Sequence, residues 1–298
     1  MKHWLQAFRL RTLPLALSSI GMGSFLAAAI GRFSWLIFGL CAATTVFLQI
    51  LSNLANDYGD SVNGADHNER QGPARAVQSG VISLSRMRAA IGVFILLSLL
   101  TGLALLYVVF GVQWEAFLFF FAVGIGAILA AIAYTAGRKP YGYIGLGDLS
   151  VFTFFGLVGV VGCFYLYTQQ LNAYVFLPAI SCGLFSVAVL NINNIRDIES
   201  DLQAGKFSIP VRIGRQAAVR YHMLLLAVAL LSAVAFTLLS YTRWSQWLYL
   251  AVIPLLISNI RAVMSKHEAH QLDPYLKQMA LTTLLFVVLF GVGLMMAS

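Results

Sequence analysis

The stretch Asn191-Ile-Asn-Asn-Ile-Arg-Asp-Ile-Glu-Ser-Asp201 decides the fold. It closes an apolar run that begins near Tyr174, and it packs three asparagines, one arginine and three acids into eleven residues. Helical spacing puts Asp197 and Asp201 on one face, with Asn193 one turn before Asp197 and Asn194 three residues before it. The expected setting is the last turn of a membrane helix and the loop beyond. That end of a helix carries partial negative charge, so carboxylates gathered there call for a cation. Oxygen ligands without thiolates point to a hard ion such as Mg2+, held by a few carboxylates together with substrate phosphates.

A second stretch answers the first. Asn53-Leu-Ala-Asn-Asp-Tyr-Gly-Asp60 also closes an apolar run. Asn53, Asn56, Asp57 and Asp60 fall at i, i+3, i+4 and i+7, again one helical face.

Of the 298 residues, 60% are hydrophobic and 10% charged, where a soluble domain averages about 25% charged. The chain therefore reads as an all-α, polytopic membrane protein, a single domain over 1–298, without a removable signal peptide. Nine apolar runs are long enough to span a bilayer: 13–31, 34–56, 88–111, 115–134, 146–167, 173–195, 217–240, 245–264 and 276–297. Seventeen of the 19 Lys and Arg residues fall on one side of this arrangement, leaving Arg32 and Arg243 opposite. The positive-inside rule places the N-terminus in the cytoplasm and the C-terminus outside. The +8 net charge is thus a topology signal, not a nucleic-acid footprint. Both acidic clusters then end at the cytoplasmic face, four spans apart. That spacing predicts two parallel four-helix units plus a ninth helix, with a site where the units meet.

The connections add cations. Ser61–Gly80 carries Asp66, a candidate third carboxylate, and Arg75, whose fork suits phosphate oxygens. Tyr134–Asp148 carries Arg138 and Lys139, which read either as anion ligands or as anchors beside an interfacial tyrosine belt. Lys206 and Arg212 follow Asp201, either as surface pairs or as part of a metal–diphosphate cradle. Cys41, Cys163 and Cys182 lie in apolar runs and read as small core residues. The histidines form no ligand set, and there is no Ser-His-Asp, HExxH or CxxC arrangement and no P-loop. A diphosphate bridged by magnesium fits the acids and cations, and an allylic polyprenyl tail fits the apolar remainder. Magnesium and the cations would neutralise the departing diphosphate. Aromatic and aliphatic walls would keep water from the allylic cation. These residues do not identify the acceptor. A transporter is the rival from another class, but it requires charges at the bilayer midplane and broken helices.

Asn56-Asp-Tyr-Gly-Asp60 and Asp197-Ile-Glu-Ser-Asp201 resemble the two acidic motifs of the UbiA-type intramembrane prenyltransferases. Gly72-Pro-Ala-Arg75, Tyr141-Gly-Tyr-Ile-Gly-Leu-Gly-Asp148, Asn191–Asp197 and Gly205-Lys206 are similar to the branch that prenylates 1,4-dihydroxy-2-naphthoate. The likeness runs from Arg11-Thr-Leu-Pro14 to the ninth span. It implies nine helices in a bacterial inner membrane, with Asp57, Asp60, Asp197 and Asp201 as catalytic carboxylates holding Mg2+ and the diphosphate, and Asp66 as a possible further ligand. Asn53, Asn56, Arg75, Lys139, Asn193, Asn194, Lys206 and Arg212 would contact substrates. The partners it implies are a polyprenyl diphosphate, a dihydroxynaphthoate alkylated with loss of CO2, and the lipid bilayer, with no obligatory protein partner. A sister enzyme acting on 4-hydroxybenzoate or on haem is the alternative. Three positions depart from the pattern: Gly64 where a third acid is common, Leu10 for a proline, and Ser208 for a threonine.

Overall fold

Nine helices are long and apolar enough to cross a membrane in the computed structural model, which describes residues 2–63 and 76–298. The spans are Leu13–Ala29, Trp35–Val62, Leu84–Phe110, Trp114–Ala133, Gly147–Thr168, Ala173–Arg196, Ile209–Leu239, Trp244–Ser265 and Ala269–Met295. No strand occurs among the described residues. Trp35, Leu96, Tyr107, Leu231 and Leu238 stand exposed on the outside, as a hydrocarbon surround demands.

Packing mostly follows chain order, with the first span also lying against the fifth and sixth. The second span lies against the first, third and fourth. The sixth lies against the fifth and seventh, and the seventh meets the eighth. The ninth packs on the first, sixth and eighth, and so joins the two sets of four. Close approach relies on small residues, since lipid supplies no hydrophobic drive between helices. A Cβ on Gly156 of the fifth span would meet the Ala179 carbonyl oxygen of the sixth at 2.8 Å. Ser181 Oγ donates to the Ala229 carbonyl at 2.7 Å and ties the sixth span to the seventh. The three cysteines are free and buried, as expected of small core residues.

The seventh span begins at Ile209 and not at 217, with a kink at Gly214; three other features of the spans concern the site. The second continues helical through the acidic stretch to Val62, so its asparagines and acids do share one helical face. The fifth widens to a π-helix over Phe152–Gly162. The ninth begins at Ala269, so Asp273 lies within a helix and not in a connection. At the N-terminus, a short helix, Lys2–Ala7, meets the first span through an elbow in which Arg9 takes a left-handed φ of 48°.

Candidate active site

One cavity of ≈ 470 Å³ runs through the bundle. Asn56, Asp60, Asn193, Asn194 and Lys206 line it, as do Cys41, Leu106, Phe120 and Leu166. Cys41 and Asp60 are nineteen residues apart on one helix. That spacing is about 28 Å at 1.5 Å per residue, close to the hydrocarbon thickness of a bilayer. The cavity is therefore polar at one end and apolar along most of its length.

The second span builds one wall of the polar end. Asp57 and Asp60 are buried. Asp57 Oδ2 accepts from the Ala76 amide at 3.3 Å, and Asp60 Oδ1 accepts from the Tyr143 hydroxyl at 2.7 Å. Thr135 Oγ1 donates to Asn56 Oδ1 at 3.1 Å. Asn53, expected to touch substrate, spends its amide on the elbow: it donates to the Phe8 carbonyl at 2.9 Å and to Thr12 Oγ1 at 3.1 Å. It thereby fixes Arg9 and Arg11, which also line the cavity.

The sixth span builds the facing wall. Its helix ends at Arg196, Asp197 caps it, and a short helix, Ile198–Gln203, follows. The Asp201 amide still donates to the Asp197 carbonyl at 2.7 Å, so the i, i+4 relation survives the break. Asp197 is held from both sides. Arg196 donates to its two oxygens at 2.7 Å each, and Asn193 Nδ2 adds a contact at 3.3 Å. Asp201 pairs with Lys206 at 3.0 Å, both side chains mostly buried. Burial raises the Asp201 pKa, and the charges of Asp197 and Asp60 raise it further against the pull of Lys206. Burial works against the charge on Lys206, but Asp201, Tyr134, Asp60 and Asp197 outweigh it and raise its pKa.

Two buried acceptors, Asn194 Oδ1 and Asp201 Oδ2, have no hydrogen-bond partner among the described residues. A buried polar atom left unpaired costs about 1–3 kcal/mol; Asn194 lines the cavity, so its unpaired oxygen marks a place for a ligand there. No three His, Cys, Asp or Glu side chains among the described residues are grouped to hold a metal unaided. The donor set is hard oxygen throughout, which fits a magnesium ion completed by phosphate oxygens better than an all-protein cage.

The cations are unequal. Lys206 faces the cavity. Arg212 does not line it; its guanidinium donates to the Phe207 and Ile144 carbonyls, both at 2.9 Å. The Phe207 amide in turn donates to the Tyr143 carbonyl at 2.8 Å, so the connections after the fourth and sixth spans are docked together over the site. Lys139 is exposed and also stands outside the cavity lining. Asp66 and Arg75 lie outside the described residues.

The sequence reading missed three residues. Tyr143 passes for one of a belt of interfacial tyrosines, yet it is buried against Asp60. Arg196 passes for a positive-inside charge, and Asp273 for a loop acid. Arg196 instead bridges Asp197 and Asp273, with 2.6 Å between its Nη1 and Asp273 Oδ1. The i−1 relation of Arg196 to Asp197 was visible; the pairing with Asp273, 77 positions away, was not.

Residues 16–284 match the UbiA prenyltransferase family. A 1,4-dihydroxy-2-naphthoate octaprenyltransferase of Haemophilus influenzae is 45% identical, covering 99% of this chain and 96% of its own. The enzyme of that name from Escherichia coli is 44% identical over 99% and 96%. Among solved structures, a UbiA homolog from Aeropyrum pernix superposes with a TM-score of 0.69 at 16% identity, covering 97% of this chain and 98% of its own. Another, from Archaeoglobus fulgidus and bound to DMAPP and Mg2+, gives 0.61 at 17% identity, covering 99% and 100%. The family match over residues 16–284, on nine membrane-length helices around a cavity lined by Asn56 and Asp60 from one acidic stretch and Asn193 and Asn194 from the other, places this chain in the UbiA prenyltransferase family.

Proposed function

We propose that the chain transfers a polyprenyl group from its diphosphate to 1,4-dihydroxy-2-naphthoate, in a bacterial cytoplasmic membrane with the N-terminus inside and the C-terminus outside. The observation that carries this reading is end-to-end identity of 44–45% with two relatives of that one name. Their name also makes an octaprenyl diphosphate the first donor to try. The site fits the chemistry. Asp57, Asp60, Asp197 and Asp201, with Asn56 and Asn194, would hold Mg2+ and the diphosphate, as the Archaeoglobus homolog holds Mg2+ with DMAPP. Bound magnesium would neutralise charge on the leaving diphosphate.

The chain's own residues do the rest. Lys206 presents an ammonium at the same wall. The tail lies along Leu106, Phe120, Phe155 and Leu166, whose burial of apolar surface fixes the allylic carbon next to the acids. The C1–O bond breaks and its electron pair leaves with the diphosphate. The ring carbon that bears the carboxylate attacks C1, and the bond to that carboxylate then breaks to release CO2. The apolar walls keep water from intercepting the allylic cation.

The test is a transfer assay on purified protein in detergent. It supplies octaprenyl diphosphate, either 1,4-dihydroxy-2-naphthoate or 4-hydroxybenzoate, and either Mg2+ or EDTA. Magnesium-dependent product and CO2 from the naphthoate alone are expected. Product from the benzoate alone would retain prenyl transfer and overturn the acceptor. Undiminished turnover in EDTA would overturn the metal.

A further inference from the structure

Arg196 is a buried guanidinium with every nitrogen engaged. Its Nε and Nη2 hold the two oxygens of Asp197, Nη2 also donates to Asn193 Oδ1 at 2.9 Å, and Nη1 reaches Asp273 Oδ1. Three of these four acceptors belong to the sixth span or its cap. The fourth comes from the ninth span, which lies outside both sets of four helices. Asp273 lines the cavity and is about one-third exposed, while the Arg196 side chain is 2% exposed. A guanidinium this buried cannot turn without abandoning a charged partner, and a lysine in its place could not serve three acceptor groups in one plane. The fork therefore transmits the position of the ninth span to the Asp197 carboxylate.

We propose that Asp273 is a positioning residue for the diphosphate site: it anchors the Arg196 guanidinium, which holds the Asp197 carboxylate in the one orientation that receives the metal-bound diphosphate. This rests on the function proposed above. Asp273 itself takes no part in bond making. Partners that orient a ligating carboxylate typically change metal affinity by about 10–100-fold when removed, and a loss of that size is expected here.

The experiment compares full-chain wild type with Asp273→Asn and Asp273→Glu in one detergent. Mn2+ binding is read by electron paramagnetic resonance in the presence of farnesyl thiolodiphosphate, a donor analogue that ionises slowly. Transfer kinetics and thermal unfolding are recorded in parallel. Asp273→Asn is expected to weaken Mn2+ binding at least ~10-fold and to raise the Mg2+ concentration for half-maximal transfer by a similar factor. The rate at saturating Mg2+ should fall far less. Asp273→Glu, which keeps the charge, should recover most of the affinity. Should Asp273→Asn not fold, Arg196→Lys is measured in its place with the same loss expected. Wild-type Mn2+ affinity in the variant that folds would overturn the proposal, as would a loss of rate with unchanged Mn2+ affinity. A wild type that neither binds Mn2+ nor transfers a prenyl group would overturn the underlying function, and the positioning role with it.

Discussion

Replacing Lys206 by methionine removes a charge while keeping most of the volume. The ammonium lies 3.0 Å from Asp201 Oδ1, and the two side chains are 13% and 10% exposed. At an effective dielectric of ~20, unit charges at that distance attract by about 5 kcal/mol. The lysine's own desolvation cancels part of this in the intact pair. Removing one partner nonetheless strands the other, which typically costs about 3–5 kcal/mol. Asp201 has an escape: its pKa is already raised by burial, and without Lys206 it rises further, so the carboxylate takes up a proton instead of staying charged. The sign follows. A carboxylate whose folded pKa is raised favours the fold when protonated, so its penalty is absent at low pH and grows as pH climbs past its ordinary value. The stability gap between wild type and Lys206→Met should open with rising pH, by at most about 1.4 kcal/mol per pH unit. It should close toward acid pH, where Asp201 is protonated in both. Thermal unfolding in detergent from pH 4 to 9 measures the gap. Transfer assays at pH 8 should show the KM for the diphosphate raised at least ~10-fold, the equivalent of about 1.4 kcal/mol. A gap that does not change with pH, or an unaltered KM, would refute the reasoning.

Two further perturbations probe other parts of the structure. Tyr143→Phe deletes a hydrogen bond to a charged group, worth about 1.5–3 kcal/mol; unfolding should shift by that amount with KM for the diphosphate raised, and an unchanged KM and unfolding free energy would remove Tyr143 from the site. Gly156→Ala would drive a methyl group to 2.8 Å from the Ala179 carbonyl oxygen; a loss of about 1–3 kcal/mol in unfolding free energy is expected from overpacking, and a stability equal to wild type would show that the fifth and sixth spans can part.

Much of this architecture is written in local pattern. Nine apolar runs and two acid-rich helix ends are features of contiguous sequence, and both are present among the described residues. The facing of Asn56 and Asp60 by Asn194 and Lys206 was inferable too, because acids repeated four spans apart imply a common site. What escaped depends on contacts between distant segments. Asn53 lines the cavity as its spacing implies, but its amide nitrogen also ties down the N-terminal elbow, which spacing does not show. Arg212 looks like a phosphate ligand by proximity, but two backbone carbonyls claim its guanidinium. Asp273 was hidden by Pro274, which reads as a loop residue although the helix starts four residues before Asp273 and runs through the proline. Hydropathy marks where a chain is greasy, and helices extend beyond that wherever their polar ends find partners.

The docked connections have a mechanical consequence. Tyr143 and Phe207 come from segments that follow the fourth and sixth spans, yet a main-chain bond and the Arg212 fork make them one body. Each segment turns at a glycine with a left-handed φ, Gly145 at 84° and Gly205 at 68°. Displacing one segment without the other breaks the Phe207–Tyr143 main-chain bond and a bond of the Arg212 fork. Opening is a single event whose free energy sums the links on both sides, and the amides of the two segments should exchange their hydrogens with one common protection factor. Tyr143 and Lys206 would then leave the acids together and return together, so the site would alternate between a state with both groups in place and a state with neither.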